Sequence, residues 1–484
     1  MTTSRPYDLV ILGGGAAAFA AITEASDRGL STAMVNTGLP LGGTCVNVGC
    51  VPSKHLLAVA ESGAAASKNP FDAVRYPEEP TVDWVDALDG TDELVEGFRQ
   101  ENYVDIAEYF ETDIYEGYGQ LTDDTTIEVV DGPDERTRIT GEKALVATGS
   151  SPWAPPIDGL DEVDYYTSET ILEERDLPES IVMIGGGYIA LEWGQILHRV
   201  GVDVTILQRS ERVLSAMEGQ LGREMQRAFE EDGIEVITGN DFQRVRTLAT
   251  DGGAEAIQSG VAVETTVDGT EQTVTGDSLF VATGVQPNSE GIGLDSVEVE
   301  TNDDGTIHVD QHFQTTNPDV YAAGDVIGEP ELETVAAKEG NHAVKNSFGS
   351  AEVSIDYDAV PAVVFTSPEV AAVGMTELEY MEEHGTCSCR TVQMADVPRA
   401  KAVKNTDGLV QVVKHHETDE IVGVHMVGPR AADMIVEATL AVKFGLTVDD
   451  IIDTVHPFPT FSEAFKHACQ AFRRDTSTMS CCVE

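Results

Sequence analysis

Residues 7–18 read YDLVILGGGAAA. The apolar run Tyr7–Leu12 has the character of a buried strand, and Gly13-Gly14-Gly15 then opens an alanine-rich stretch that predicts a helix to about Arg28. Ser31–Val35 follows as a second apolar strand, so the chain begins with a strand–helix–strand unit. The same text returns 172 residues later: strand Ser180–Ile184, then Gly185-Gly186-Gly187-Tyr188-Ile189-Ala190, a helix to about Val200 and strand Asp203–Leu207. Each copy is G-x-G-x-x-A, and each is followed by an apolar strand ending in Ala-Thr-Gly, at 147–149 and 282–284. One such motif is weak because glycine turns are common, but two copies in the same strand–helix context form a duplicated signal. Glycine lets the backbone turn tightly and approach a pyrophosphate, whose charge meets the helix N-terminus. Ala18 and Ala190 then let each helix lie close on its strand. Two copies imply two dinucleotides and one site for electron transfer between them; the bland alternative is a duplicated pair of units without ligands.

An acidic residue about 20 positions beyond the glycines would accept from the adenosine ribose hydroxyls. In the first copy that place falls on Asn36, which bonds without charge. In the second the strand ends in Gln208-Arg209-Ser210, with Arg212 close behind, a neutral and basic setting that favours the 2′-phosphate of NADPH over NADH. Beyond Asp325 the text changes. Val360–Phe365, Val370–Val373, Leu409–Lys414 and Ile421–Met426 read as strands, and Ala431–Phe444 and Ser462–Arg474 as helices, with no glycine fingerprint. This block suits an antiparallel interface domain.

The chain has 484 residues, enough for about three domains at roughly 100–200 residues each. With 29 Lys+Arg against 85 Asp+Glu, the formal charge is −56, spread along the chain rather than gathered in a tail. Such a surface repels phosphate backbones and anionic leaflets, which argues against nucleic-acid and membrane partners. No apolar run approaches the ~18 residues of a membrane span and no secretory signal opens the chain, so a soluble cytoplasmic protein is expected. Self-repulsion at this charge is relieved by salt, which predicts a salt-rich cytosol, as in a halophile.

Seven cysteines stand at 45, 50, 387, 389, 469, 481 and 482. Close pairs in an intracellular chain point to catalysis or metal rather than to structural disulfides. Residues 42–54 read GGTCVNVGCVPSK. Pro52 suits a first helical turn, which puts Cys50 at a helix start whose positive end favours thiolate. The spacing of Cys45 and Cys50 lets them close into a disulfide and reopen on two-electron reduction; a zinc site would need a second pair, and distant Cys387 and Cys389 read as loop thiols. Cys469 reads as a packed thiol in a helix, and adjacent Cys481-Cys482 at the C-terminal end as a ligand pair for a soft metal ion.

The run 42–54, the two G-x-G-x-x-A motifs, the two Ala-Thr-Gly segments and Tyr321-Ala322-Ala323-Gly324-Asp325 resemble the flavoprotein pyridine nucleotide–disulphide oxidoreductases, from Tyr7 over essentially the whole chain. The resemblance implies an α/β fold with two Rossmann-like domains, FAD-binding (1–152, returning at 276–348) and NAD(P)-binding (153–275), plus an α+β dimerisation domain (349–484). It assigns to FAD the positions Gly13, Gly15, Ala18, Asn36, Gly43, Thr44, Lys54, Gly119, Thr148, Gly149, Asp325 and Glu333. To NADPH it assigns Gly185, Gly187, Tyr188, Ile189, Arg209 and Gly284. By similarity Cys50 lies against the flavin with Cys45 as the outer thiol, Lys54 pairs with Glu192, and Tyr188 covers the flavin until nicotinamide displaces it.

Relatives that reduce organic disulfides carry H-x-H-P-T-x-S-E near the C-terminus, whose second His is the acid–base group. Here residues 456–463 read HPFPTFSE, so Phe458 takes that place, His456 stands two residues before it and Glu463 closes the motif. A phenyl ring carries no proton, so thiol–disulfide exchange loses its general acid unless His456 serves. The run GGTCVNVGCVPSK together with the Cys-Cys tail resembles the mercuric reductase branch, where the position of Phe458 is commonly Tyr rather than His; Phe458 departs from that pattern and brings no hydroxyl. The resemblance implies NADPH-dependent reduction of thiol-bound Hg(II) to Hg(0) in a homodimer. Cys481 and Cys482 pass the metal from one subunit to Cys45 and Cys50 of the other, in a short form without an N-terminal metal-binding domain. Two other readings stay open: a dihydrolipoyl dehydrogenase or other disulfide reductase, and a metal-sequestering or redox-sensing flavoprotein without turnover.

Overall fold

The computed structural model describes residues 6–76, 80–123, 125–249, 258–328, 330–350 and 352–475. The chain is α/β and forms two compact units, each assembled from three stretches. The first comprises Met1–His55, Val85–Trp153 and Gly284–Ile355; the second comprises Leu56–Trp84, Ala154–Thr283 and Asp356–Glu484.

In the first unit, strand Pro6–Leu12 pairs in parallel with Thr32–Asn36 on one side and Arg138–Val146 on the other. The sheet runs Asp113–Glu116, Thr32–Asn36, Pro6–Leu12, Arg138–Val146, Thr126–Asp131, Tyr118–Asp123, with Val320–Ala322 also parallel to Arg138–Val146. Leu9, Val10 and Ile11 are fully enclosed because both faces of the sheet are covered, each side chain contributing roughly 1.5–3 kcal/mol of burial. The helix after the glycines spans Ala16–Asp27, and its buried Ala17, Ala21 and Ala25 recur every four residues along one stripe. Against that stripe packs helix Glu333–Ser347, at a separation only glycine permits: a Cβ on Gly340 would lie 2.0 Å from the Ala17 carbonyl oxygen.

The second unit holds a parallel sheet ordered Glu235–Ile237, Asp203–Leu207, Ser180–Ile184, Ser278–Val281. An antiparallel sheet of Asp241–Ala249, Gln258–Val267 and Thr270–Gly276 accompanies it. Helix Tyr188–Arg199 buries Trp193, whose ring lies 6.2 Å from that of Phe280. The same unit contains a five-stranded antiparallel sheet ordered Ala362–Val364, Glu369–Gly374, Ile421–Gly428, Leu409–Lys414, Cys389–Gln393. Helices Ala431–Lys443 and Glu463–Gln470 close its core around Ile435, Ala438 and Phe465.

The expected elements differ from the observed ones mainly at their ends. The second strand is Thr32–Asn36 rather than Ser31–Val35, and the final helix is Glu463–Gln470 rather than Ser462–Arg474. Helix ends fray into turns that apolar periodicity does not mark. Strand Cys389–Gln393, short and half exposed, was not anticipated at all.

Candidate active site

The two glycine motifs build the same local structure twice. Gly13 has φ +117° and Gly185 φ +128°, and a Cβ on either would lie 2.1 Å from a carbonyl oxygen, that of Ala147 or Ala282 respectively. The alanine of each Ala-Thr-Gly is therefore the surface on which its glycine loop rests, which explains why the two signals travel together. The middle glycines face the strand ends, Gly14 against Asn36 and Gly186 against Gln208. The third glycines are open: a Cβ on Gly187 would meet nothing within 4 Å, and one on Gly15 only the Gly43 Cα at 3.8 Å. Helices Ala16–Asp27 and Tyr188–Arg199 start at these glycines with no side-chain cap and no acid in the first turn. Uncovered, uncapped helix starts free of carboxylate fit the pyrophosphates of two dinucleotides.

Around the first cradle, Asn36 donates to the Leu39 carbonyl (2.9 Å), leaving its Oδ1 as an acceptor, and Asp325 accepts from the Ser150 hydroxyl (2.8 Å). Thr148 donates to the Asn288 carbonyl (2.8 Å), and the Asn288 amide returns a bond to Thr148 (3.0 Å), tying the first Ala-Thr-Gly to the segment after Gly284. Gly149 and Gly284, both at positive φ, have open space where a side chain would stand. Gly119 is buried, and a Cβ there would meet Leu12 at 2.6 Å and Val35 at 2.9 Å, so packing alone requires glycine at this position. Around the second, Ala190 is buried, Ile189 partly so, and Tyr188 is 42% exposed. Arg209 is exposed with no ion-pair partner among the described residues, and Arg212 donates to the Ser215 carbonyl (3.0 Å).

The cysteine run folds into a short helix, Gly43–Asn47, followed by helix Cys50–Ala64, so Cys50 is the first helical residue and Lys54 lies one turn on. Gly49 makes the junction tight: a Cβ there would stand 2.8 Å from the Thr44 carbonyl oxygen and 3.1 Å from the Cys45 Cα. Asn47 pins the loop by donating to the carbonyls of Pro40 (3.0 Å) and Gly43 (2.8 Å), and Arg99 donates to its Oδ1 (3.1 Å). Both cysteines are thiols and hydrogen-bonded to each other. Cys45 also donates to Glu333 Oε2 (2.8 Å), at the first residue of helix Glu333–Ser347. The bond to Cys50, burial and the Glu333 carboxylate together push the Cys45 thiol well above the usual thiol range. Tyr103 completes the cluster from a π-helical turn, Gln100–Val104. Its ring packs edge-on to Phe19 (4.7 Å), its hydroxyl donates to Glu333 Oε1 (3.3 Å), and burial raises its phenol above the ordinary value. Glu333 was expected only as a cofactor contact, and Tyr103, Asn47 and Arg99 were not expected.

The C-terminal motif is enclosed differently. His456 Nε2 meets Glu437 Oε1 at 2.9 Å and Nδ1 meets the Thr454 carbonyl at 3.0 Å, with the side chain 5% exposed. The Glu437 bond, more than any other influence, holds the imidazole above its ordinary value. Both nitrogens are thus engaged within the chain. Glu463 accepts from the Thr460 backbone N–H (3.0 Å), and Phe458 is exposed. Glu192 is buried and accepts from the Phe365 N–H (3.0 Å). Cys481 and Cys482 lie outside the described residues. No described helix is long and apolar enough to cross a membrane.

Residues 7–340 match the family model for pyridine nucleotide-disulphide oxidoreductases, and residues 360–469 that family's dimerisation domain. The chain is 40% identical to a mercuric reductase of Streptomyces lividans over 99% of its own length and 98% of the relative's. It is 33% identical to the dihydrolipoyl dehydrogenase of Bacillus subtilis over 96% and 98%. Among solved structures it resembles the Cu(II) complex of the HOCl-induced flavoprotein disulfide reductase RclA from Escherichia coli, with TM-score 0.84, 24% identity and coverage of 96% of this chain and 99% of that one.

Proposed function

Because the chain belongs to the pyridine nucleotide–disulphide oxidoreductase family, whose members use FAD and NAD(P)H, we propose that it is an NADPH-dependent reductase of Hg(II), working in the cytoplasm as a homodimer. The observation that carries this reading is the proton chemistry of the site. Cys45 and Cys50 stand as a hydrogen-bonded thiol pair beside Glu333, while the one histidine of residues 456–463 is enclosed with both nitrogens bonded. Loading a metal ion requires thiols to lose protons, and its reduction returns none; reducing an organic disulfide requires a proton for the departing thiolate. In loading, each thiol proton passes to a thiolate that leaves the metal, so no protein base is called for, whereas disulfide reduction needs an acid and the histidine of residues 456–463 is held by Glu437 and Thr454.

FAD, when bound, relays two electrons from NADPH towards the thiol pair. The glycine loops at 13–15 and 185–187 hold the two pyrophosphates, Asn36 the flavin nucleotide's ribose, and Arg209 the 2′-phosphate that selects NADPH. Hg(II), the substrate, arrives as a bis-thiolate and passes to Cys481 and Cys482 of the partner subunit, then to Cys45 and Cys50, each new Hg–S bond replacing an old one. The Cys45 proton passes to the thiolate that leaves the metal, and the helix start at Cys50, with Lys54 one turn on, favours the second thiolate. Two electrons convert Hg(II) to Hg(0), both Hg–S bonds break, and the thiolates stay on the protein. Tyr188 gates nicotinamide entry.

The test of this route is NADPH oxidation with Hg(II) and excess thiol, comparing the native chain with C481A/C482A. Flavin reduction kept and mercury turnover mostly lost is expected. Unchanged turnover would remove the tail from the route, and lipoamide turnover with NADH preference would favour the dehydrogenase reading.

A further inference from the structure

Outside the redox pair, the described residues contain two groups of three side chains whose ligand atoms converge within 4.8 Å: His384, His415 and His416, and Glu377, Cys387 and Cys389. The histidines are poorly set for metal. His415 Nδ1 accepts from the N–H groups of Glu417 (3.3 Å) and Thr418 (3.2 Å). His416 Nδ1 meets the Tyr380 hydroxyl (2.7 Å), which already accepts the His416 N–H (2.8 Å). Nδ1 of both rings is thus already engaged within the protein.

The second group has the opposite character. Cys387 and Cys389 sit two apart at the entry to strand Cys389–Gln393, where extended backbone sends alternate side chains to one side, and their Sγ atoms lie 3.3 Å apart. Cys387 donates to Glu377 Oε1 (2.9 Å), at the start of helix Glu377–His384, and Gln411 Nε2 fixes the other oxygen (3.1 Å). Register pairs Cys389 with Val413 and Thr391 with Gln411, so Gln411 shares the face of Cys389. Gln411 is fully buried and its Oε1 has no hydrogen-bond partner. A fixed carboxylate, two adjacent thiols and a buried amide with an unused acceptor form a built site.

We propose that Cys387, Cys389 and Glu377 bind a thiophilic d10 cation as a dithiolate–carboxylate chelate, a second soft-metal site in the C-terminal part of the chain. Binding forms two metal–sulfur bonds and one metal–oxygen bond and releases the two thiol protons to solvent, with no change of oxidation state. The sulfur spacing selects the geometry. At about 2.3 Å per metal–sulfur bond, linear two-coordination needs sulfurs ~4.6 Å apart, whereas a tetrahedral ion needs roughly 3.7 Å. The observed 3.3 Å is nearer the bent arrangement, which leaves the carboxylate a position. The site therefore prefers three- or four-coordinate ions such as Zn(II) or Cd(II).

The probe is Cd(II), added to the oxidised full chain carrying C481A/C482A, with excess Mg(II) to occupy surface carboxylates; binding is read by dialysis and by the thiolate-to-cadmium charge-transfer band. One Cd(II) per chain with that band is expected. C387S/C389S in the same background abolishes both, and E377Q weakens binding by about tenfold or more. NADPH reduction of the flavin is the same with and without the C387S/C389S and E377Q substitutions, which separates site loss from misfolding and from failure of the mercury reading. A C387S/C389S chain that retains the band and the stoichiometry overturns the proposal, as does a C481A/C482A chain that shows neither.

Discussion

Glu333 and Cys45 are 288 positions apart in the chain and 2.8 Å apart in space, and this contact helps to hold the Cys45 thiol protonated. The carboxylate is one cause of the high Cys45 thiol value, behind the Cys50 bond and burial. Removing its charge therefore lowers that value: in the reduced protein, E333Q shifts the pH profile of Cys45 alkylation by iodoacetamide to lower pH, and C50S shifts it further. A profile that moves upward, or not at all, contradicts the assignment. At His456 the sign runs the other way. Its folded value is raised, so its stabilisation is complete below the unfolded value of ~6.5 and fades as pH rises through the folded one. Melting of H456Q against the native protein accordingly shows the widest gap below pH ~6 and a closing gap in alkaline buffer. None of these contacts was legible beforehand. Residues 45 and 50 announce a thiol pair by spacing, but Glu333, Tyr103 and Glu437 reach their partners only through tertiary folding. The enclosure of His456 is likewise a packing result that the motif 456–463 does not encode.

Among the elements, glycine has two opposite uses. In helix Glu333–Ser347, Gly340 is the point of closest approach to helix Ala16–Asp27, and a Cβ there would collide with backbone. In helix Trp84–Arg99, Gly97 has open space around it. G340A is thus expected to lower the melting temperature, by roughly 1–3 kcal/mol of overpacking, while G97A raises it by about 0.5–1 kcal/mol through helix propensity. Thermal melting of the two single variants settles the contrast; equal effects would mean that the helix contact is looser than described. The strand–helix–strand units were legible because buried parallel strands and glycine turns leave a strong local pattern in residues 7–36 and 180–207. The edge strand Cys389–Gln393 was not, since a short half-exposed strand leaves little pattern, and the grouping of its cysteine with Glu377 was lost with it.

For the whole molecule, the dominant quantity is the formal charge of −56. Carboxylates dispersed at this density repel one another across distances comparable to the Debye length, about 10 Å at 0.1 M salt and about 3 Å at 1 M. The native chain is therefore expected to gain stability from low to molar KCl, and a melting temperature that falls steadily over that range would contradict adaptation to a salty interior. The family and its cofactors follow from features spread through most of the chain, whereas the identity of the reduced substrate rests on a few side chains near residues 45, 333 and 456. The decisive measurement is anaerobic and stoichiometric: volatile Hg(0) released per NADPH oxidised, with Hg(II) presented as its bis-thiolate. One mercury atom per NADPH, abolished in C45S/C50S, is the predicted result; NADPH consumed without Hg(0), or Hg(0) release that survives C45S/C50S, would contradict it.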